Sequence, residues 1–292
     1  MTVTVETPVR PSVGRPVRRP LLAGWRISAL GAVCLAIAIF WAVVAVLGPW
    51  VAPHPAGAIV SFEAFGPMSA AHPFGTDYLG RDMLSRIILG SRYTVGVSLA
   101  AAALAVSAGV ALGMTAAVFG GWTDSLLSRT LDAFNAIPSK MFALLVVAGL
   151  GTSLPVLIGT LAFIYTPGAY RIARSLAVNV NEFDFVQVAK ARGERTPYLI
   201  REEILPNIIG PVLADFGLRF VFIVLLLSAL SFLGLGVQPP NADWGALVRE
   251  NLAGLPYGAP AVIFPSIAIA SLTIAVNLGI DNLPRRVRSR LP

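Results

Sequence analysis

Thirty consecutive residues, 208–237, contain only two ionisable side chains, Asp215 and Arg219. A helix needs roughly 20 apolar residues to cross a bilayer, and this run exceeds that. Residues 27–51, 93–119, 126–150, 154–173 and 259–278 read the same way, which predicts six spans. Their continuity, without alternation of period two, favours a helical bundle over a β-barrel. The expected fold class is all-α, a polytopic membrane protein. Composition agrees: 56% of the residues are hydrophobic and 13% charged, against about 25% charged in soluble domains.

A net charge of +7 would suit nucleic acid, but the cations sit at the ends of apolar runs, where they set topology. With residues 1–26 inside, the cytoplasmic pieces and adjoining helix ends hold 16 of the 22 Lys and Arg. The outer loops hold four: Arg81, Arg86, Arg92 and Arg249. Both termini are therefore expected in the cytoplasm, lipid is the expected surface partner, and nucleic acid is not one. Residues 1–26 carry five arginines and four prolines and read as a disordered basic tail. Residues 284–292 form a second basic tail. The run at 27–51 is too long for a signal-peptide core and is read as an uncleaved helix. Cys34, the single cysteine, can form no intrachain disulfide and reads as a packing residue.

Residues 52–92 form the longest segment outside the membrane and contain the only two histidines, His54 and His72. Both are flanked by proline and lack a His or Cys partner at ligand spacing, so a solvated loop is expected there rather than a metal site. After Gly80, the spacing of Met83, Leu84, Ile87 and Ile88 predicts an amphipathic helix along the outer interface.

Residues 182–206 form a charged island between the fourth and fifth spans. A first helix is predicted over 184–192, stopped by Gly193. A second opens with Thr196 as N-cap and Pro197 at its first helical position, and stops at Pro206. Two short helices meeting at a right-angled break would make a projecting knob, placed in the cytoplasm by the charge count. An ordinary amphipathic loop helix is the plain alternative.

Asp215 and Arg219, four apart, share one helical face. At 1.5 Å per residue they lie about 13 and 20 Å beyond Pro206. Ionisable groups at that depth are costly and should face the bundle interior. They either line a pathway for a polar solute or neutralise each other or a neighbouring chain. Asp132 and Lys140 in the third span are weaker candidates of the same kind, Lys140 being long enough to snorkel or pair. No G-x-x-x-x-G-K-[ST] phosphate loop is present, so this chain does not bind ATP in that way. Neither a His/Cys cluster nor a Ser/His/Asp arrangement lies at membrane depth, which argues against an enzyme. An ion-coupled secondary transporter is the alternative class, with Asp132 and Asp215 as its deep acids, although no inverted repeat is visible.

Gln187-Val188-Ala189, Gly193 and Leu205-Pro206 resemble the EAA…G…I-x-LP loop of permease subunits in bacterial ABC importers. Gln187 stands where Glu is usual, Val188 where Ala is usual, and Glu203 where Ile is common. Residues 72–82, His72-Pro73-Phe74-Gly75-Thr76-Asp77 through Arg81-Asp82, are similar to the HPLGTDxLGRD element of the dipeptide/oligopeptide C-type permeases. Phe119-Gly120-Gly121-Trp122, Asp124, Asp132 and Ala136-Ile137-Pro138 resemble that subfamily's FGGWxD…D…AIP run. Ser231-Phe232-Leu233-Gly234 through Gln238-Pro239-Pro240, with Asp243-Trp244-Gly245, resemble its SFLGLGxQPPxxxWG segment. The four blocks span residues 72–245 in the family's order.

The resemblance implies a type I ABC importer permease fold, with residues 93–283 as a core of five helices. It implies a homologous B-type permease, two ATPase subunits and an extracytoplasmic solute-binding protein as partners, in a bacterial inner membrane. No cofactor belongs to this chain; ATP and Mg would sit on the ATPase subunits. Asp184, Gln187, Val188, Ala189, Arg192, Gly193, Leu205 and Pro206 become the ATPase-coupling residues, with small Ala189 and Gly193 allowing close approach. Asp215, Arg219 and Asp132 are the substrate-pathway candidates. Gly120-Gly121 is expected to break a helix, Gly234 and Gly236 to let neighbouring helices pack closely, and Pro239-Pro240 to end the fifth span. The solute stays open among peptides and other small polar molecules.

Overall fold

The Ser28 hydroxyl accepts from the Gly31 N–H at 3.0 Å and so caps α1 (Ala29–Val51). The computed structural model describes residues 28–282, and the two predicted basic tails lie outside the described residues. Helix α1 lies on α2 (Met83–Phe119) and α10 (Pro260–Asp281). Gly48 lets it approach α2 closely, since a Cβ there would stand 3.0 Å from the Ile88 carbonyl oxygen. Gly31, Cys34 and Ala45 are buried on the same side, and the opposite face of α1 is exposed apolar surface, including Val46 and Trp50, as a lipid-facing helix requires.

Helix α2 departs from expectation. Met83 and Ile87 do not start a separate interfacial helix; they begin one continuous helix of 37 residues, and both are buried. Asp82 caps it, accepting from the backbone and hydroxyl of Ser85 at 2.8 and 2.6 Å. No proline or glycine pair interrupts it before Gly120 and Gly121, whose φ values of +60° and +51° end the helix as predicted. At about 55 Å it outruns the hydrocarbon thickness of a bilayer.

The predicted third span is not one helix. α3 (Gly121–Asn135) and α4 (Ser139–Leu150) meet at 82°. Pro138 is the reason: it has no N–H to donate, and it pushes the residue before it out of the helical region. Helix α5 (Leu154–Asn181) follows, longer than the predicted 154–173, and carries Pro167 inside it. Among the described residues, five helices are long and apolar enough to cross a membrane, six when the bent α3–α4 pair counts as one span.

Helix α6 (Asp184–Ala191) leads to α7 (Thr196–Tyr198), a π-helical turn over Leu199–Ile204, and α8 (Leu205–Phe232). The predicted stop at Pro206 does not occur. The wide π turn accommodates the missing proline N–H, and Asn207 Nδ2 donates to the Glu203 carbonyl at 2.6 Å. The result is one long rod, Thr196–Phe232. It ends at Phe232, not at residue 237. Gly234, at φ +89°, closes a Schellman turn with Gly234 N–H donating to Ser231 O and Leu235 N–H to Leu230 O. Gly236 therefore packs within its own turn, while Gly234 meets a side chain of the helix Trp244–Asn251 and not its backbone. An added Cβ would strike the Arg249 guanidinium or the Ser231 side chain of their own turn.

The close helix contact lies elsewhere. α2 packs most extensively on α5, and Gly109 and Gly113, one turn apart, sit where the two backbones nearly touch. Helices α8, α9 (Trp244–Asn251) and α10 complete the core around fully buried Trp244, Ile223, Leu227 and Leu247. Trp244 Nε1 donates to the Ile87 carbonyl at 3.0 Å, and its ring meets Trp41 edge-on at 4.6 Å.

Candidate functional site

At one end of the bundle, α6 and the π turn are seated on α2 and α5. Val186, Ala189, Leu199 and Ile204 are buried against Val106, Val110, Met114 and Val180. Asp184 stands in the first turn of α6 and Lys190 in its last, each matched to the helix dipole. Gly193, at φ +82°, closes a second Schellman turn: its N–H donates to Lys190 O at 2.9 Å, and the Glu194 N–H donates to Ala189 O at 3.2 Å.

The candidate coupling residues divide into two groups. Asp184, Gln187, Val188, Arg192, Gly193 and Pro206 are exposed, and Leu205 is half-buried. Ala189 is fully buried against its own chain, so its smallness serves the seat of α6 and not the approach of another backbone. Gln187 is tied back, its Nε2 donating to the Asn181 carbonyl at 2.7 Å. Phe185, Val188 and Tyr198 form the exposed apolar edge of the knob.

In the middle of the bundle, Arg219 grips Asp215 with two hydrogen bonds, Nε at 2.6 Å and Nη2 at 3.0 Å. Its remaining arm donates to the Tyr165 carbonyl on α5 at 3.0 Å, beneath Gly168, where an added Cβ would lie 2.7 Å from Nη1. Both residues are 8% exposed. This is a neutral, bidentate clamp between α5 and α8. Asp132, by contrast, meets Arg171 at 2.9 Å with both side chains 63% exposed. Lys140 is exposed and has no hydrogen-bond or ion-pair partner among the described residues. Beside it, the α3–α4 break opens a pocket of about 230 Å³.

A family model for the binding-protein-dependent transport system inner membrane component matches residues 109–289. The chain belongs to that family. A protein of Brucella suis, named provisionally as a peptide transport system permease protein, is 35% identical over 257 residues, covering 87% of this chain and 84% of that one. The dipeptide transport system permease protein of Alkalihalophilus pseudofirmus is 36% identical over 218 residues, covering 75% and 71%. The glutathione transport system permease protein of Pectobacterium atrosepticum is 29% identical over 274 residues, covering 92% and 91%.

This binding-protein-dependent transport component carries a second ordered polar region at the end opposite the knob, largely invisible in the sequence. His54 and His72 do not lie in an open loop. Their rings approach to 6.0 Å, and both face the Asp82 carboxylate, with Nδ1 distances of 3.9 and 3.1 Å. Among the described residues, no group of three or more His, Cys, Asp or Glu side chains could hold a metal ion. Asp77, fully buried, accepts from Arg81 Nε at 2.6 Å and Arg86 Nη1 at 2.7 Å, and Glu250 on α9 faces the same two arginines. Burial works against the Arg81 charge, but Asp77 and Glu250 more than offset it, so its pKa is raised.

Asp243 caps α9, accepting from Ala246 N–H at 2.9 Å and Ser231 Oγ at 2.6 Å. Burial pushes its carboxyl up to about 6, against the hydrogen bonds from Ser231 and Ala246. The native state thus holds a proton that an unfolded chain releases near pH 4. The stability tied to that proton is complete below about pH 4 and is lost as pH rises through about 6. Asp243→Asn keeps a cap acceptor and carries no charge to bury. Its thermal midpoint is expected above wild type at pH 7, converging with it toward pH 4. Asp243→Ala, which loses the cap, is expected to cost about 1–2 kcal/mol near pH 4 and less at pH 7, where it too leaves no charge to bury. Parallel midpoints for wild type and Asp243→Asn across that range would contradict the assignment.

Proposed function

We propose that this chain is a permease subunit of a type I ABC importer for peptides or similar small polar solutes, forming half of the translocation pathway. In this reading it pairs with a homologous B-type permease. Two ATPase subunits bind ATP and Mg, and an extracytoplasmic solute-binding protein delivers the solute. The setting is a bacterial inner membrane with both termini and the knob in the cytoplasm, for which the distribution of Lys and Arg is the support. The relatives named for peptide, dipeptide and glutathione transport support the solute class.

The observation that carries the proposal is the mechanical design of the knob. Its inner face, through Val186, Ala189 and Ile204, is locked into the α2–α5 core, while Phe185, Val188 and Tyr198 face outward. The turn at Gly193 is fixed by two backbone hydrogen bonds. A body built this way transmits force: an ATPase cleft that grips the outer edge moves α5 and the long Thr196–Phe232 rod with it. Asp132 and Asp215, the acids an ion-coupled mechanism would use, are each paired with an arginine.

Val188→Cys in a Cys34→Ser background tests the coupling. Expected is a disulfide crosslink to a cysteine in the ATPase cleft that changes yield with bound nucleotide, together with solute uptake that needs ATP and survives ionophores. Uptake that collapses with ionophores, or an intact complex in which neither Val188→Cys nor Phe185→Cys ever captures the ATPase, would sink the proposal.

A further inference from the structure

The sharpest irregularity in the bundle lies where a lipid-facing helix could not have it. From Asp132 to Met141 all ten residues are exposed. Within that stretch the helix stops at Asn135, turns through 82° and restarts at Ser139. The break faces Phe163–Pro167 of α5, about 14–20 Å along that helix from its start at Leu154, which is near the bilayer midplane. Backbone that is not hydrogen-bonded within a helix is tolerated at this depth only against protein or against a water-filled cavity.

The break does not close on its own chain. It opens a pocket of about 230 Å³ lined by Phe134, Ile137, Ser139, Phe142, Phe163 and Pro167. One wall is a continuous aromatic surface: Phe163 meets Phe134 edge-on at 4.9 Å and stacks with Phe142 at 5.5 Å. Beside the pocket stands Lys140, the one lysine outside the knob, without a partner among the described residues. Two acids placed near this break are matched, Asp215 with Arg219 and Asp132 with Arg171. An unmatched cation at membrane depth is expensive and marks a place where an anion passes or rests.

We propose that the α3–α4 break is a hydrated solute-contact site, in which Lys140 meets the carboxylate of a passing peptide-like solute and the phenylalanine wall takes its apolar side chain. The carboxylate assignment rests on the importer reading above; the hydration of the break does not. The Asp215–Arg219 clamp, reaching Tyr165 just across α5, then serves to hold the facing helix, while the free charge of Lys140 does the selecting.

Two measurements on the complete importer in liposomes test this, with binding-protein affinity for each probe determined separately. The first compares ATP-driven uptake of a dipeptide and of its C-terminal amide. Lys140→Gln is expected to lower the acid-to-amide uptake ratio about tenfold, the size of a lost charge-assisted hydrogen bond, and Lys140→Arg to restore most of it. An equal loss for both probes means that Lys140 pairs with a neighbouring subunit and overturns the carboxylate contact, as does an unchanged ratio. The second uses Ile137→Cys in a Cys34→Ser background with a membrane-impermeant thiol reagent. Labelling that varies with nucleotide is expected at Ile137→Cys and not at Leu145→Cys, on the exposed apolar face of α4. No labelling in any nucleotide state overturns the hydrated break. Labelling with no dipeptide uptake by the wild type would instead remove the peptide reading and leave the hydrated break standing.

Discussion

Truncating Asp77 to alanine is expected to release the region opposite the knob and to cost about 3–5 kcal/mol, the usual penalty for orphaning a buried charge. Asp77 is completely buried and accepts four hydrogen bonds: from the N–H groups of Leu79 and Arg81, each at 2.8 Å, and from the side chains of Arg81 and Arg86. With Glu250 it balances two buried guanidinium groups, two negative charges against two positive. Removing Asp77 leaves a net positive charge in a site that admits little water, and frees two backbone donors as well. Glu250→Gln should cost less, because Glu250 is partly exposed and Asp77 still holds both arginines. Asp77→Asn should fall between them, keeping an acceptor for the backbone while losing the charge. Thermal midpoints of the purified variants check the order, and limited trypsin digestion at Arg81 should cut only Asp77→Ala quickly. An Asp77→Ala midpoint at or above that of Glu250→Gln would refute the idea that this carboxylate is the hub.

That hub shows where sequence reading reaches its range. Asp77, Arg81 and Arg86 are near neighbours in the chain, but Glu250 is 164 residues beyond Arg86. Nothing periodic links them; only the folded bundle sets α9 over the start of α2. The same holds for His54 and His72, whose shared partner Asp82 comes from a helix cap. What was legible was local: apolar length for the spans, Gly193 and the paired Gly120-Gly121 for helix ends, Asp215 and Arg219 for a shared face. Misreadings arose where one local rule competed with another. Apolar spacing at Met83–Ile88 looked interfacial because the polar residues before it hid the helix cap at Asp82. Pro206 looked like a stop because the π turn that absorbs it has no simple sequence signature. Pro138 belongs in sequence to the Ala136-Ile137-Pro138 motif, and in the fold it splits the third span and creates the pocket. The knob was visible as a charged island, but only burial separates Val188, which faces out, from Ala189, which does not.

A pair of glycines on α2 carries the second large effect. Gly109-Val110-Ala111-Leu112-Gly113 is a small-x-x-x-small pattern inside an apolar run, the signature of helices whose backbones touch. A Cβ on Gly109 would lie 2.4 Å from the Ala169 Cβ and 2.7 Å from the Tyr170 nitrogen. One on Gly113 would lie 2.7 Å from the Arg174 nitrogen and 2.9 Å from the Tyr170 carbonyl oxygen. These neighbours are largely backbone, so no rotamer change relieves them. Gly113→Ala is expected to cost about 1–3 kcal/mol through overpacking. Gly113→Leu is expected to separate α2 from α5 and abolish a folded, monodisperse product, because the knob's inner face rests on those same two helices. Ala169→Gly should rescue Gly109→Ala only in part, removing the methyl clash but not the one with the Tyr170 backbone. Gly96 supplies the control: it lies in the same helix, with nothing within 4 Å of an added Cβ. Gly96→Ala is expected to stabilise α2 by up to about 1 kcal/mol through helix propensity alone. Thermal midpoint and size-exclusion profile together decide the matter. If Gly113→Leu runs as a single folded species with a midpoint near that of Gly96→Ala, the α2–α5 backbone contact does not hold this bundle together, and force applied at the knob would have to travel by another route.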